Sequence, residues 1–426
     1  MKKGNLLLLL ITILIVAMVV IYGILIIKGK NNQEEPPTIN NNVNTEIKEL
    51  TNRVDYYAIK NCVNKFYKYY ATMFDSKEDV DIAKTYTILD QEYINFLGIT
   101  NENMLTILPR KGDVVTNIDS IWVSRQKDDI YAYIVNGLAR EELTNEISNF
   151  QMIIKADSTN KTFSVILQDY IQVKYKNIKI GDTLKLDSIN NMESNRYNLY
   201  VVEDISDDTY AIDLFNDYKE EILYNPELAY EHLDVEYESI KFGTVGKFRE
   251  YLEANKARNT NMEIKQYQKI ENDRYTQYIC VDQYGRYYIF KEQGIMNYSL
   301  VLDTYTIDLP EFLNKYNAAN TVERVGYNIQ KCLDAINYED YSYVYDKLDL
   351  EFKALNYPTL EMFKNEIKNQ LFEQNEVKSV ASYSEGSTYA YKLTITDVAD
   401  NTKEQKITVI MQLKEGTNFV MSLSFQ

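Results

Sequence analysis

Between residues 58 and 74 the apolar side chains of Ile59, Val63, Phe66, Tyr70 and Met73 recur every three or four positions, the spacing that lines one face of a helix. Beyond it the pattern changes to alternating, β-branched and aromatic runs. "SIWVSR", "IYAYIVNG", "FQMIIKAD" and "TFSVILQD" predict four strands, with "QKDD" and "STNK" as turns between them. The same switch of period occurs twice more. "MEIKQYQKI", "YTQYICVD", "RYYIFKEQ" and "YSLVLDTYTI" form one later set, and "VKSVASYS", "TYAYKLTIT", "QKITVIMQL" and "NFVMSLSF" the other. Each pass predicts two or three short helices followed by a four-stranded antiparallel meander, a unit of about 110 residues and so of ordinary domain size.

A short motif marks the same place in each pass: "LDQEY" at 89–93, "LDVEY" at 233–237 and "LDLEF" at 348–352. Eleven positions after each leucine stands Thr100, Thr244 or Thr359, and four further on Met104, Phe248 or Phe363. The intervals of 144 and 115 residues are those of copied domains, not of a short solenoid repeat. Leu360, Phe363, Ile367 and Leu371 continue at helical spacing, so the threonine occupies the position of an N-cap hydroxyl. Catalysis by Asp90, Asp234 and Asp349 would require a reactive partner at a shared offset. No Ser, Cys, Lys or His repeats beside the three motifs. The motif is therefore expected to be architectural. Its leucine and aromatic anchor a helix end in the core, and its acids face solvent or favour the positive end of the next helix.

One segment stands apart. "NLLLLLITILIVAMVVIYGILII" (5–27) has 23 residues without a charge, long enough to span a hydrocarbon core of ~30 Å. It predicts a transmembrane anchor after a head at 1–4, followed by a flexible acidic and Asn-rich tether at 28–50. Lys2 and Lys3 on one side and Lys28 and Lys30 on the other nearly balance the orientation rule. The short head and acidic tether favour a signal-anchor with the bulk of the chain extracytoplasmic. The α+β units are then expected at 51–172, 195–308 and 321–426, with linkers at 173–194 and 309–320. The expected localisation is a single pass of the cell membrane, with the lipid bilayer as partner through 5–27.

Composition narrows the chemistry. The 426 residues include 38 Tyr but one Trp and one His, and the formal net charge is −17. Such a charge repels a phosphate backbone, so no nucleic-acid partner is expected; the basic stretch at 173–185 reads as a solvated connector. Cys62, Cys280 and Cys332 are too scattered for a metal site, and His232 stands alone. Spacing does not exclude a disulfide among them, but small buried thiols are the expectation. No P-loop, GxGxxG, GxSxG or HExxH occurs. No catalytic, cofactor-binding or metal residues are assigned, and no cofactor is expected.

The order of helices then meander, with the aromatic-rich "NPELAYEHLDVEYESIKFGTVGKFREYL" (225–252), resembles the nuclear-transport-factor-2-like (cystatin-like α+β) superfamily, as found in membrane-anchored proteins of low-GC bacteria. The resemblance covers most of 51–426 and implies a curved sheet wrapped on a long first helix; it carries over no catalytic residue. Some relatives precede a penicillin-binding transpeptidase, but the lone Ser-x-x-Lys, Ser158 to Lys161, falls in a predicted turn without a Lys-Thr-Gly companion. In layout the chain also resembles inner-membrane assembly factors of conjugation and type IV secretion machines. The resemblance implies a non-catalytic binding or scaffolding protein of the bacterial envelope, with other envelope proteins as partners. The competing expectation is a pocket enzyme or small-ligand-binding protein that uses a carboxylate and a Tyr in one cone-shaped domain.

Overall fold

The computed structural model describes residues 44–187, 204–271, 275–385 and 388–426. The first unit opens on helix α1 (Arg53–Ser76), whose first backbone N–H groups, of Val54 and Asp55, donate to the side chain of Asn52. The stripe from Ile59 to Met73 is buried along its whole length. Helices α2 (Asp79–Ile88), α3 (Gln91–Leu97) and α4 (Met104–Ile107) follow. Strands β2 (Val114–Lys127), β3 (Ile130–Glu141), β4 (Ile147–Asp157) and β5 (Thr162–Leu167) then form an antiparallel meander, closed by helix α5 (Gln168–Lys174).

The second unit repeats the order. Helices α6 (Asp207–Tyr224), α7 (Pro226–Glu231), α8 (Val235–Lys241), α9 (Val245–Ala254) and α10 (Lys256–Thr260) precede strands β6 (Ile264–Glu271), β7 (Thr276–Asp282), β8 (Tyr287–Gly294) and β9 (Asn297–Val301). In the third, α11 (Pro310–Ala318), α12 (Thr321–Asn337), α13 (Tyr341–Asp346), α14 (Leu350–Asn356) and α15 (Leu360–Gln370) precede β10 (Asn375–Glu385), β11 (Thr388–Asp397), β12 (Glu404–Leu413) and β13 (Phe419–Phe425). In every unit the long helix packs on the first long strand of its own sheet: α1 on β2, α6 on β6 and α12 on β10.

Each of those first strands carries a β-bulge, with Asp119, Lys265 and Lys378 as the extra residues. A bulge bends the strand and increases its twist. Opposite the Asp119 bulge the backbones come so close that a Cβ on Gly137 would lie 2.3 Å from the Asn117 carbonyl oxygen. Only glycine fits there.

The structure corrects several expectations. Among the described residues no helix is long and apolar enough to cross a membrane. The longest, α1, carries Asp55, Lys60, Lys65 and Lys68, charges that a hydrocarbon core does not accommodate. The anchor expected at 5–27 lies outside the described residues. The fold class becomes α+β with three antiparallel sheets and no membrane-spanning helix among the described residues. The single-pass, extracytoplasmic localisation is corrected accordingly, since no described helix supplies a membrane span. The first sheet has five strands, not four, because β1 (Lys48–Glu49), from the stretch read as tether, pairs with Trp122 and Val123 of β2.

Connectors also carry structure. Thr183 bridges to Glu46, and Leu184 and Leu186 are buried against the first unit. Pro310–Ala318 is a helix whose Tyr316 is buried. The apolar interiors of the first two units merge into one core, whereas the third has its own, which Tyr305 enters from the segment before it.

Candidate functional site

The three motif aspartates are N-caps. Asp90 accepts from the backbone N–H of Glu92 at the start of α3; Asp234 accepts from Glu236 and Tyr237 at α8; Asp349 accepts from Glu351 and Phe352 at α14. The preceding leucines each form a single parallel bridge to the last strand of their sheet: Leu89 to Val165, Leu233 to Leu300 and Leu348 to Met421. The backbone N–H of each aspartate donates to the same strand residue at 2.8–2.9 Å. One dipeptide therefore fastens the helical layer to the far edge of the sheet and starts the next helix, three times over. Thr244 and Thr359 cap α9 and α15 as expected, while in the first unit the cap position before α4 falls to Asn103. Met104, Phe248 and Phe363 are all fully buried.

Asp90 departs from the expected solvent-facing role. It is fully buried, 2.6 Å from the Nζ of equally buried Lys155, and it accepts a 2.6 Å hydrogen bond from Ser164. Burial alone would raise its pKa, but the lysine charge and the hydrogen bonds outweigh that and lower it. Strand register puts Lys291 and Ser299 at the same place in the second unit and Gln412 and Val420 in the third. There Lys291 is exposed, so no buried pair forms. The lysine interrupting the apolar run "FQMIIKAD" was the available signal.

The other sequence-named groups are structural. Ser158 sits in the β4–β5 turn, bonded to the carbonyl of Asp129, and Lys161 ends that turn at φ 54°. The three thiols are free and buried, and burial pushes each up to about 12, so they are not nucleophiles near neutral pH. His232 lies at the seam between the first two units. Its Nδ1 is 2.9 Å from Glu221, which also accepts from Asn117 of β2. The seam is clamped by Arg53, which reaches Asp207, Glu292 and the hydroxyl of Tyr278 and stacks 3.8 Å over Tyr210. Arg140 pairs with Glu220 nearby.

The larger concavities lie between the second and third units. One, of about 700 Å3, is walled by the turn at Gln283–Gly285, the bulge Lys265, Tyr341, and the end of α15 with Phe372 and Gln374. The other, of about 470 Å3, is walled by Tyr237, Tyr251, Asp303, Tyr305, Tyr338 and Asp340. Arg258 and Glu339 line both, so the two are halves of one cleft. Gly285, at φ +74°, gives the turn its left-handed corner and leaves room for Gln374; a Cβ there would meet the Gln374 Oε1 at 2.9 Å.

A polar latch closes the back of the smaller half. The Nζ of Lys241 lies 2.6 Å from Asp340, 2.7 Å from the Tyr305 hydroxyl and 3.5 Å from Asp303. Burial opposes its charge, but the two carboxylates prevail and its pKa is raised. Asp340 is lowered by the same pairing against the opposing effect of burial. Asp303 accepts from Tyr237, from the hydroxyl of Thr306 and from the backbone N–H groups of Tyr305 and Thr306. Asp340 additionally accepts from Ser342 and the backbone of Tyr343. The Tyr338 hydroxyl accepts from the backbone N–H of Tyr287 across the unit boundary. Burial raises the Tyr237, Tyr305 and Tyr338 phenols well above their ordinary value, so they remain protonated donors.

A carboxylate and convergent Tyr hydroxyls thus do line one cavity. A general base, however, must be free to take a proton within reach of a substrate, and both carboxylates already receive four or more hydrogen bonds or charge contacts from the protein itself. Among the described residues no group of His, Cys, Asp and Glu could hold a metal ion. The cleft was not legible from sequence, because its walls come from segments scattered between residues 237 and 399 that no single motif joins. No protein-family model matches the chain, and no curated protein matches it.

Proposed function

We propose that this protein is a non-catalytic binding and scaffolding module of three docked α+β units, with the cleft between the second and third as its ligand seat. The observation that carries the reading is the pairing inside the cleft. Asp303, Asp340 and Lys241 are committed to one another and to tyrosine hydroxyls, which holds two units in register and occupies the carboxylates that face the convergent tyrosines. The cavity volumes support it too, since ~300–1,000 Å3 suits a drug-sized ligand or a few residues of peptide. The likeness to the nuclear-transport-factor-2-like superfamily belongs to this proposal as its fold-level part, supported by the thrice-repeated order of helices and meander.

Two substitutions test the seat without touching the latch. Ala257 and Ala399 are exposed and line the smaller and larger halves, so Ala257→Trp and Ala399→Trp fill the cleft from its rim. Compounds and peptides that raise the melting temperature of the wild-type chain are expected to lose that effect in both variants. Ligands that stabilise the variants as well as the wild type would place the seat elsewhere. A ligand recovered chemically altered after incubation would favour the enzyme reading.

A further inference from the structure

Two cations lining the cleft bear on the chemistry of its ligand. Carboxylates outnumber cations in this chain by 17, and several of the described arginines are held by protein partners. Arg53 bonds Asp207 and Glu292, Arg286 bonds Asp282 and Asn259, and Arg324 bonds the carbonyls of Tyr316 and Asn317. Arg258 differs. Among the described residues its guanidinium makes no hydrogen bond, and the nearest carboxylate, Glu339, stands 3.9 Å away, beyond hydrogen-bonding range. It lies where the two halves of the cleft meet, 6.0 Å from the face of Tyr284. Lys368, on α15 across the cleft, makes no ion pair among the described residues and rests 5.7 Å over Tyr341.

We infer that the cleft binds a carboxylate-bearing peptide segment, with the carboxylate held by Arg258; this rests on the cleft being the ligand seat. A guanidinium offers a planar fork that matches a carboxylate with two parallel hydrogen bonds. Its position at the junction lets a ligand run into both halves. Lys368 adds a second positive charge, and Tyr284 and Tyr341 supply flat apolar walls for the flanking chain. The combined volume exceeds what a small organic acid would fill, which favours a peptide over a free acid.

The test uses the full chain and calorimetric titration with three probes: a capped tetrapeptide of alternating Glu and Tyr, the same peptide with Gln for Glu, and glutarate. The Glu peptide is expected to bind, and the Gln peptide to bind at least about tenfold more weakly. Arg258→Ala should weaken the Glu peptide by a similar factor and Arg258→Lys by less, while Arg249→Ala, outside the cleft, changes nothing. Glutarate binding as tightly as the peptide would overturn the peptide assignment. Equal binding of both peptides, or indifference to Arg258→Ala, would overturn the carboxylate assignment. If that binding is still abolished by Ala257→Trp, the seat survives and only the ligand class fails. Binding indifferent to Ala257→Trp and Ala399→Trp, or no binding by any probe, overturns this inference, and the first of these removes the seat as well.

Discussion

Replacing Asp90 by asparagine keeps the size and the capping oxygen of the side chain but removes the negative charge facing Lys155. Both groups are 0% exposed and 2.6 Å apart. Taking one partner from a buried ion pair costs about 3–5 kcal/mol, because the remaining charge keeps its desolvation penalty without its counter-charge. Asp234 and Asp349 hold the same motif position half-buried, bonded to two backbone N–H groups each. Asparagine caps a helix about as well as aspartate, so there the loss is only the helix-dipole contribution of about 0.3–1 kcal/mol. One substitution in three copies therefore separates the buried pair from the cap.

The assay is unusually direct because the single tryptophan, Trp122, lies in β2 of the first unit. Its fluorescence during urea unfolding reports that unit, while far-UV circular dichroism follows all three. Asp90→Asn should lower the fluorescence-detected unfolding free energy by about 3–5 kcal/mol, a large share of the ~5–15 kcal/mol a domain possesses. Asp234→Asn and Asp349→Asn should leave it almost unchanged. The folded pKa of Asp90 lies below its unfolded value. Its contribution is therefore present above about pH 4 and disappears as the pH falls through the folded pKa. The gap between wild type and Asp90→Asn should close on strong acidification. Equal costs at the three positions, or a gap that persists in acid, would refute the buried-pair account.

Phe248→Ala and Phe363→Ala, each removing a fully buried ring, should cost about 3–5 kcal/mol in circular-dichroism melts. Gly137→Ala should destabilise the first unit by at least ~1 kcal/mol in the Trp122 assay, since its Cβ forces the two backbones apart. The seam between the first two units should tighten in mild acid. Burial, with Glu221, Asp213 and Glu220 outweighing Lys60, lifts Asp217 to about 7. His232 is raised by Glu221 although burial opposes its charge. A raised folded pKa favours the protonated form on folding. Both groups therefore add stability as the pH falls from about 8 to about 5.5. Hydrogen exchange at Arg53–Tyr57 and Asp213–Glu221 should slow over that range, and a pH-independent exchange profile corrected for intrinsic rates would contradict it.

What the sequence made legible was whatever repeats or obeys a local period. The stripe of α1 and the alternation of the strands give the elements. The threefold leucine–aspartate dipeptide marks a backbone bridge and a helix cap, which any Asp can make from local geometry alone. What the sequence hid depended on long-range register. Asp90 looks like its two counterparts until β4 and β5 bring Lys155 and Ser164 beneath it. Lys48 and Glu49 look like part of a polar tether, yet Ile47 and Leu50 on either side are buried and draw them onto β2. Arg258 sits on a short polar helix and gains meaning only when the third unit places Glu339 and Tyr341 opposite.

The most direct test of the account is hydrogen exchange, read by mass spectrometry, on the full chain with and without the capped Glu peptide. The account predicts slowed exchange in the segments that wall the cleft, 254–258, 283–285, 337–341 and 371–374, with the first unit unchanged. Protection centred on the first unit, or none at saturating peptide, would contradict the claim that the cleft between the second and third units is where this protein binds.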